Sequence, residues 1–137
     1  MLALLLSTLL LSDAHASSGE AYVCLQAQTT EGYRDGWRSR VRKARSAPPL
    51  QAQYWMVQLS RGLEYRLVGC GDSDVTELNV YVYDRNARLR FQDEMDGAGP
   101  ILIFRPPTSG TYFLGVEATE VEEGATEVGV GVALGFR

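Results

Sequence analysis

Histidine is almost missing: of 137 residues only His15 carries an imidazole, and it falls in a stretch that reads as a removable leader. A working chain without imidazole excludes Ser-His-Asp and Cys-His hydrolases, His-ligated zinc enzymes and most general-base chemistry. Lysine is nearly missing too, with Lys43 alone beside 12 arginines. Only Cys24 and Cys70 are present, with no C-x-x-C spacing and no histidine partner, so no thiol-redox or thiolate-metal motif exists. No apolar run approaches the roughly 18–20 residues of a membrane-spanning helix. An excess of positive charge is also lacking. The 13 basic and 17 acidic residues leave a formal charge of −4, which speaks against a general nucleic-acid binder.

What is present begins with Leu2–Leu11, an apolar run that stops at Ser12-Asp13. About ten residues make roughly 15 Å of helix, half of a bilayer core, so the run fits the h-region of a signal peptide. Ala14-His15-Ala16 supplies the small residues of a cleavage site, although no basic residue precedes the run. Residues 1–16 are therefore expected to be a signal peptide and the protein to be exported, periplasmic or extracellular. The alternative is a buried N-terminal helix. A lipid anchor on Cys24 is disfavoured by the bulky Tyr22-Val23 before it. In an oxidising space Cys24 and Cys70 form an even pair. A bridge between them would close a loop of about 45 residues, worth about 3–4 kcal/mol on the chain-entropy estimate. Two buried free thiols are the alternative.

Residues 17–49 show little period-2 patterning and read as a basic arm. Arg34, Arg38, Arg40, Arg42, Lys43 and Arg45 crowd together, and Tyr33, Trp37, Val41 and Ala44 fall on one face of a helix. Gly32 and Gly36 weaken such a helix and Pro48-Pro49 ends it, so the expectation is a short helical or irregular arm.

Residues 50–137 change to strand patterning. Gln53–Leu59 and Leu63–Val68 read as a hairpin about Arg61-Gly62, with Leu63, Tyr65 and Leu67 on one face. Leu78–Tyr83 and Arg88–Gln92 flank the turn Asp84-Arg85-Asn86. Ile101–Phe104 is apolar throughout and reads as lying between layers. Thr111–Val116 follows a Pro106-Pro107 turn, and Val128, Val130 and Val132 share a face of the last strand. About seven strands bounded by Gly, Pro, Asn and Asp, with no alternating βα units, predict an all-β antiparallel sandwich of jelly-roll type.

The run Gly69–Asp84, the continuation Gln92–Pro100 and the element Pro106–Val116 resemble the central and C-terminal strand motifs of bacterial pre-peptidase C-terminal-like domains. With the preceding Leu59–Val68, the likeness covers about residues 50–135. The resemblance implies a jelly-roll-like sandwich that is exported and non-catalytic, often appended to secreted peptidases, with some members binding calcium or extracellular polymers. This chain departs from the family in carrying Asn79, flanked by Glu77, where an aspartate is often found, and the domain is expected to stand almost alone instead of appended to an enzyme.

Three groups of residues could carry function. Asp72, Asp74 and Glu77 in one loop and Asp93, Glu94 and Asp96 in another could supply carboxylates to calcium, with Asp72, Asp74 and Asp96 as the expected ligands. The bland reading makes them solvated turn residues. A carboxylate pair could also serve a small hydrolase, but so short a sandwich leaves little chain for a cleft. Among the basic residues, Arg38, Arg42 and Arg45 are the candidates for binding an anionic partner: lipid headgroups, an acidic extracellular polymer or the acidic face of a protein. Otherwise they pair with Glu117, Glu120, Glu122, Glu123 and Glu127, or are simply solvated. Finally, Trp37, Tyr54, Trp55, Tyr65, Tyr81, Tyr83 and Tyr112 offer either a stacking platform or core rings, and adjacent Tyr54 and Trp55 cannot both face the core. The combined expectation is a non-catalytic exported binding or accessory module, with a calcium-stabilised structural domain and a carboxylate-only hydrolase as alternatives.

Overall fold

The computed structural model describes residues 14–137, with side chains described from residue 18 onward. Most of the expected signal peptide lies outside the described residues. The chain forms helix α1 (Ala14–Arg34) and strands β1 (Arg38–Ala47), β2 (Gln53–Leu59), β3 (Tyr65–Gly71), β4 (Val75–Asp84), β5 (Leu89–Gln92), β6 (Ile101–Phe104), β7 (Gly110–Val121) and β8 (Val128–Phe136). Two four-stranded sheets result, ordered β1-β8-β3-β6 and β2-β7-β4-β5, and every pairing is antiparallel. Successive strands alternate between the sheets, except for the β4–β5 hairpin, which is the jelly-roll path.

Period-2 alternation builds the core. Leu67, Leu78, Val80, Val82, Leu114, Val116, Val128, Val130, Val132 and Leu134 are buried between the sheets. The intervening residues of β8 are Gly129, Gly131, Ala133 and Gly135, and their smallness has a reason: α1 lies on that outer side of the first sheet. Ala21 and Leu25 are wholly buried there, and Leu25 packs with Cys70 and Ala133. A Cβ on Gly131 would stand 2.7 Å from Leu25 Cδ1 and 2.6 Å from the Lys43 carbonyl oxygen, so only glycine admits the helix at this distance. The Cys24–Cys70 disulfide, with Cα atoms 6.0 Å apart, ties α1 to β3 on the same side.

Three expectations are corrected. Gln53–Leu59 and Leu63–Val68 do not form a hairpin, because β2 and β3 sit in opposite sheets and Ser60–Leu63 crosses between them. The crossing is held by the Ser60 N–H, which donates to the Tyr65 hydroxyl at 2.8 Å. Alternation told which side of each segment is buried, and it carries no information on which strand is the neighbour. The helical stripe through Tyr33, Trp37, Val41 and Ala44 is broken at Asp35-Gly36, where Gly36 takes a φ of 91°, and Arg38–Ala47 is a strand paired with β8. Residues 38–47 thus belong to the sandwich instead of to an arm outside it, which raises the strand number to eight. Ile101–Phe104 is an edge strand, not an interlayer one: Phe104 is buried and Ile103 is exposed.

Candidate functional site

The two outer faces of the sandwich differ. The first sheet is covered by α1. The described part of α1 packs on β8, β1 and β3, all strands of the first sheet, and the middle of the second sheet's outer face is aromatic and apolar. Alternation along β2, β7, β4 and β5 sets two rows across it. Tyr54, Gly115, Tyr81 and Gln92 are successive cross-strand partners, as are Met56, Phe113, Tyr83 and Leu89. Tyr54, Met56 and Leu89 are exposed to 47%, 66% and 47%, high for apolar or aromatic residues on strands. A Cβ on Gly115 would stand 3.1 Å from Tyr54 Cε1, so the glycine lets the Tyr54 ring lie low across the strand. That ring meets Tyr83 edge-on with centroids 5.7 Å apart, and Tyr81 and Tyr83 are 6.2 Å apart. Beside them is a depression of about 460 Å³ lined by Tyr54, Tyr83, Ala87 and Phe113.

Burial pushes the phenols of Tyr81 and Tyr83 above the ordinary tyrosine value. At Tyr81 the Asn79 side chain opposes the shift by hydrogen bonding, and at Tyr83 the neighbouring Tyr54 adds to it. Both stay protonated hydrogen-bond donors at neutral pH. One end of the face is polar, where Gln58 Nε2 donates to Thr111 Oγ1 at 2.8 Å. Of the aromatic residues singled out from the sequence, Trp37, Tyr65 and Tyr112 are buried and Trp55 packs against the core, while Tyr54, Tyr81 and Tyr83 form this face. Met56, Phe113, Leu89 and Gly115 were not anticipated. Their signal was present, since Tyr54 and Met56 put large apolar groups on the side of β2 opposite Trp55 and Val57.

The acidic loops do a different job. Asp72 is buried, its Oδ1 accepts the Asp74 N–H at 3.0 Å, and its Oδ2 accepts the Gly129 N–H at 2.8 Å. It closes an Asx turn and fastens it to β8. Asp93 likewise accepts from the Val80 and Met95 N–H groups. The loop containing Asp96 closes on β4 through the Leu78 N–H and the Gly97 carbonyl. Among the described residues no three His, Cys, Asp or Glu side chains gather where they could hold a metal ion, so Asp72, Asp74 and Asp96 do not form the expected calcium cluster.

The basic candidates Arg38, Arg42 and Arg45 all lie on β1, exposed at the end of the first sheet. Arg45 Cζ stacks 4.4 Å over the Trp55 ring and its Nη1 donates to Gln53 Oε1, while Arg42 lies 5.8 Å over Tyr22. Among the described residues neither they nor their neighbours on β1 pair with Glu117, Glu120, Glu122, Glu123 or Glu127. The ion pairs there are made by Asp84 and Glu64.

No family model matches the chain, and no curated protein matches it. Among solved structures it is similar to PliG of Aeromonas hydrophila, a periplasmic inhibitor of g-type lysozyme. That likeness has a TM-score of 0.56 and 16% identity, and covers 75% of this chain and 90% of the inhibitor. A pre-peptidase C-terminal domain of a Bacillus anthracis collagenase matches with a TM-score of 0.48 and 7% identity, over 69% of this chain and 89% of that domain. The inhibitor shares this chain's sandwich fold.

Proposed function

We propose that the chain is an exported, non-catalytic binding module of the pre-peptidase C-terminal-like type, and that it engages a protein through the open face of its second sheet. The observation that carries this reading is the asymmetry of the sandwich, with one sheet sealed by a disulfide-tethered helix and the other presenting Tyr54, Met56, Tyr81, Tyr83, Leu89 and Phe113 to solvent. Tyrosine, methionine and phenylalanine are the residue types enriched where proteins dock, and a sheet presents them on a backbone that is already ordered. Met56 and Leu89 favour a protein over a sugar, because thioether and aliphatic groups offer no flat ring to a pyranose. The disulfide supports an oxidising compartment. Catalysis is left out because His15 is the chain's one imidazole and lies in the expected leader, and the buried Asp72 carboxylate is engaged by backbone N–H groups.

The structural likeness to a lysozyme inhibitor makes a g-type lysozyme the defined first probe. The test titrates it with the full chain and with Met56→Glu, and in parallel places a photoreactive residue at position 56 in contact with envelope extract. A complex weakened at least tenfold by Met56→Glu, or proteins cross-linked at position 56, is the expected result. Glycan adducts alone, or no adduct together with no complex, overturns the reading.

A further inference from the structure

The sequence carries no Asp or Glu between Asp35 and Glu64, a stretch that includes the whole of β1 and β2. The same stretch holds Arg38, Arg40, Arg42, Lys43, Arg45 and Arg61, on a chain whose formal charge is −4. The first five lie on β1. All are exposed, and none has a carboxylate within ion-pair distance among the described residues. β1 and β2 are end strands of their sheets, and Arg45 of β1 reaches Trp55 and Gln53 of β2, so the two strands border the same side of the sandwich. Arg40 and Ser60 line one small cavity, which puts the Ser60-Arg61 turn at the same border. The outcome is a narrow positive strip. From Arg38 to Arg45 it runs roughly 23 Å at about 3.3 Å per residue, and its width is about 10 Å, the separation of two packed sheets.

Two features distinguish this strip from ordinary solvated charge. Neighbouring like charges repel one another, and interspersed acids would relieve that repulsion, yet this border has none. The guanidinium groups are also held in place. Arg45 Cζ lies 4.4 Å over the Trp55 ring while its Nη1 donates to Gln53 Oε1 at 3.3 Å, and Arg42 Cζ lies 5.8 Å over the Tyr22 ring of α1. A guanidinium stacked on a ring keeps in-plane N–H groups open to a planar anion. Charged edge strands commonly repel further strands. That role requires neither arginines laid on rings nor the exclusion of acids from the neighbouring strand.

The shape of the strip selects its partner. Its area, roughly 250 Å² on those dimensions, is far below the about 800 Å² that each side contributes to a standard protein interface. A membrane surface calls for apolar or aromatic groups that enter the lipid boundary, whereas Tyr22 and Trp55 lie beneath guanidinium groups. An unstructured acidic peptide gives up much freedom when it is straightened along a strip, and a stiff linear polyanion gives up little. We propose that the β1 border is a binding site for a linear acidic polysaccharide, whose carboxylates meet Arg38, Arg42, Lys43 and Arg45 along the strand. Its side chains are not those of the open face of the second sheet, and it does not rest on the role given to that face.

Lys43 is the chain's one lysine, so acylation by an amine-reactive ester, read by peptide mapping, reports on the strip at a single side chain. The test exposes the full chain to an alginate hexamer, a neutral mannan hexamer, a polyglutamate peptide of the same charge as the alginate, and phosphatidylglycerol vesicles. The expected result is that alginate slows acylation of Lys43 several-fold and mannan leaves it unchanged. Arg42→Gln combined with Arg45→Gln, in a protein that melts like the parent, weakens alginate binding about tenfold, as the loss of two exposed charge pairs should. Arg85→Gln combined with Arg88→Gln makes the same charge change on the β4–β5 turn and weakens it less than twofold. No protection of Lys43 by alginate, equal weakening by the two double variants, or stronger protection by polyglutamate or by vesicles at equal charge overturns the proposal. The acylation comparison leaves the protein unaltered, so a misfolded variant cannot imitate a positive result.

Discussion

Leu25 of α1 rests on Gly131 of β8 so closely that a Cβ at position 131 would stand 2.7 Å from Leu25 Cδ1. The same Cβ would stand 2.6 Å from the Lys43 carbonyl oxygen and 3.0 Å from Ala44 Cβ, so the methyl group could not be absorbed by a rotamer change alone. Gly131→Ala is expected to destabilise the fold by about 1–3 kcal/mol, the usual range for overpacking a well-filled contact. Urea unfolding followed by tryptophan emission measures it. Gly97→Ala is a poor control because Gly97 has a φ of 97°, whereas Gly19 and Gly99 have open space around them and no positive φ. Gly99→Ala should therefore change stability little.

The disulfide fastens the same helix. Replacing both Cys24 and Cys70 by Ala should lower stability by about 2–4 kcal/mol, since the bridge restrains the unfolded chain across a long loop. Among its described side chains the helix is otherwise held by buried Ala21 and Leu25, by Arg66, which donates to the Gln28 carbonyl and side chain at 3.4 Å, and by Arg42 over the Tyr22 ring. Amide exchange should therefore speed up in α1 before it does in β4 or β7.

Asp72 tests the metal expectation directly. Because both of its carboxylate oxygens accept backbone N–H groups, Asp72→Ala should leave the Gly129 N–H without a partner and cost about 1–3 kcal/mol. Calcium at millimolar concentration and excess chelator should give the same melting temperature for the parent chain. A calcium-dependent rise that Asp74→Ala abolishes would instead establish an ion site.

Acid stability should depend on Glu64. Its carboxyl is held below the ordinary glutamate value of 4.5, chiefly because Arg137 Nε donates to it at 2.7 Å, with Arg105 adding to the effect. A carboxyl with a depressed folded value stabilises the fold above its unfolded value, and that contribution is lost as pH falls through the folded one. The urea midpoint of the parent should therefore drop as pH falls below about 4.5, and Glu64→Gln should flatten that part of the curve. The same substitution should loosen the chain terminus, where Arg137 stacks 4.1 Å over Trp37 and donates to the Asp35 carbonyl.

Much of the architecture was legible because a half-buried strand has to alternate. Leu78-Asn79-Val80-Tyr81-Val82 and Val128–Leu134 state which residues enter the core, and Cys24 and Cys70 are joined as an even pair in an expected export product should be. Strand partners were not legible. β2 and β3 have the patterning of a hairpin yet belong to opposite sheets, because the turn at Ser60–Leu63 carries the chain across the core. β1 was hidden for another reason. Its edge position leaves most side chains in water, so charge replaces alternation, and a bulge near Arg40 shifts the register. The open face was half visible in the adjacency of Tyr54 and Trp55. Recognising it in full required knowing that β2, β7, β4 and β5 lie side by side, and that α1 covers the other sheet.

The most direct test of the central claim is hydroxyl-radical footprinting of the full chain in envelope extract, with and without prior digestion and quenching of the extract's proteins. Met56, Tyr54 and Tyr83 are reactive side chain types and sit at the centre of the face. The account predicts that Met56 oxidises several-fold more slowly in intact extract and regains its free rate once the proteins are digested. Unchanged Met56 oxidation in intact extract, or protection that survives the digestion, would contradict a protein-docking role for the open face.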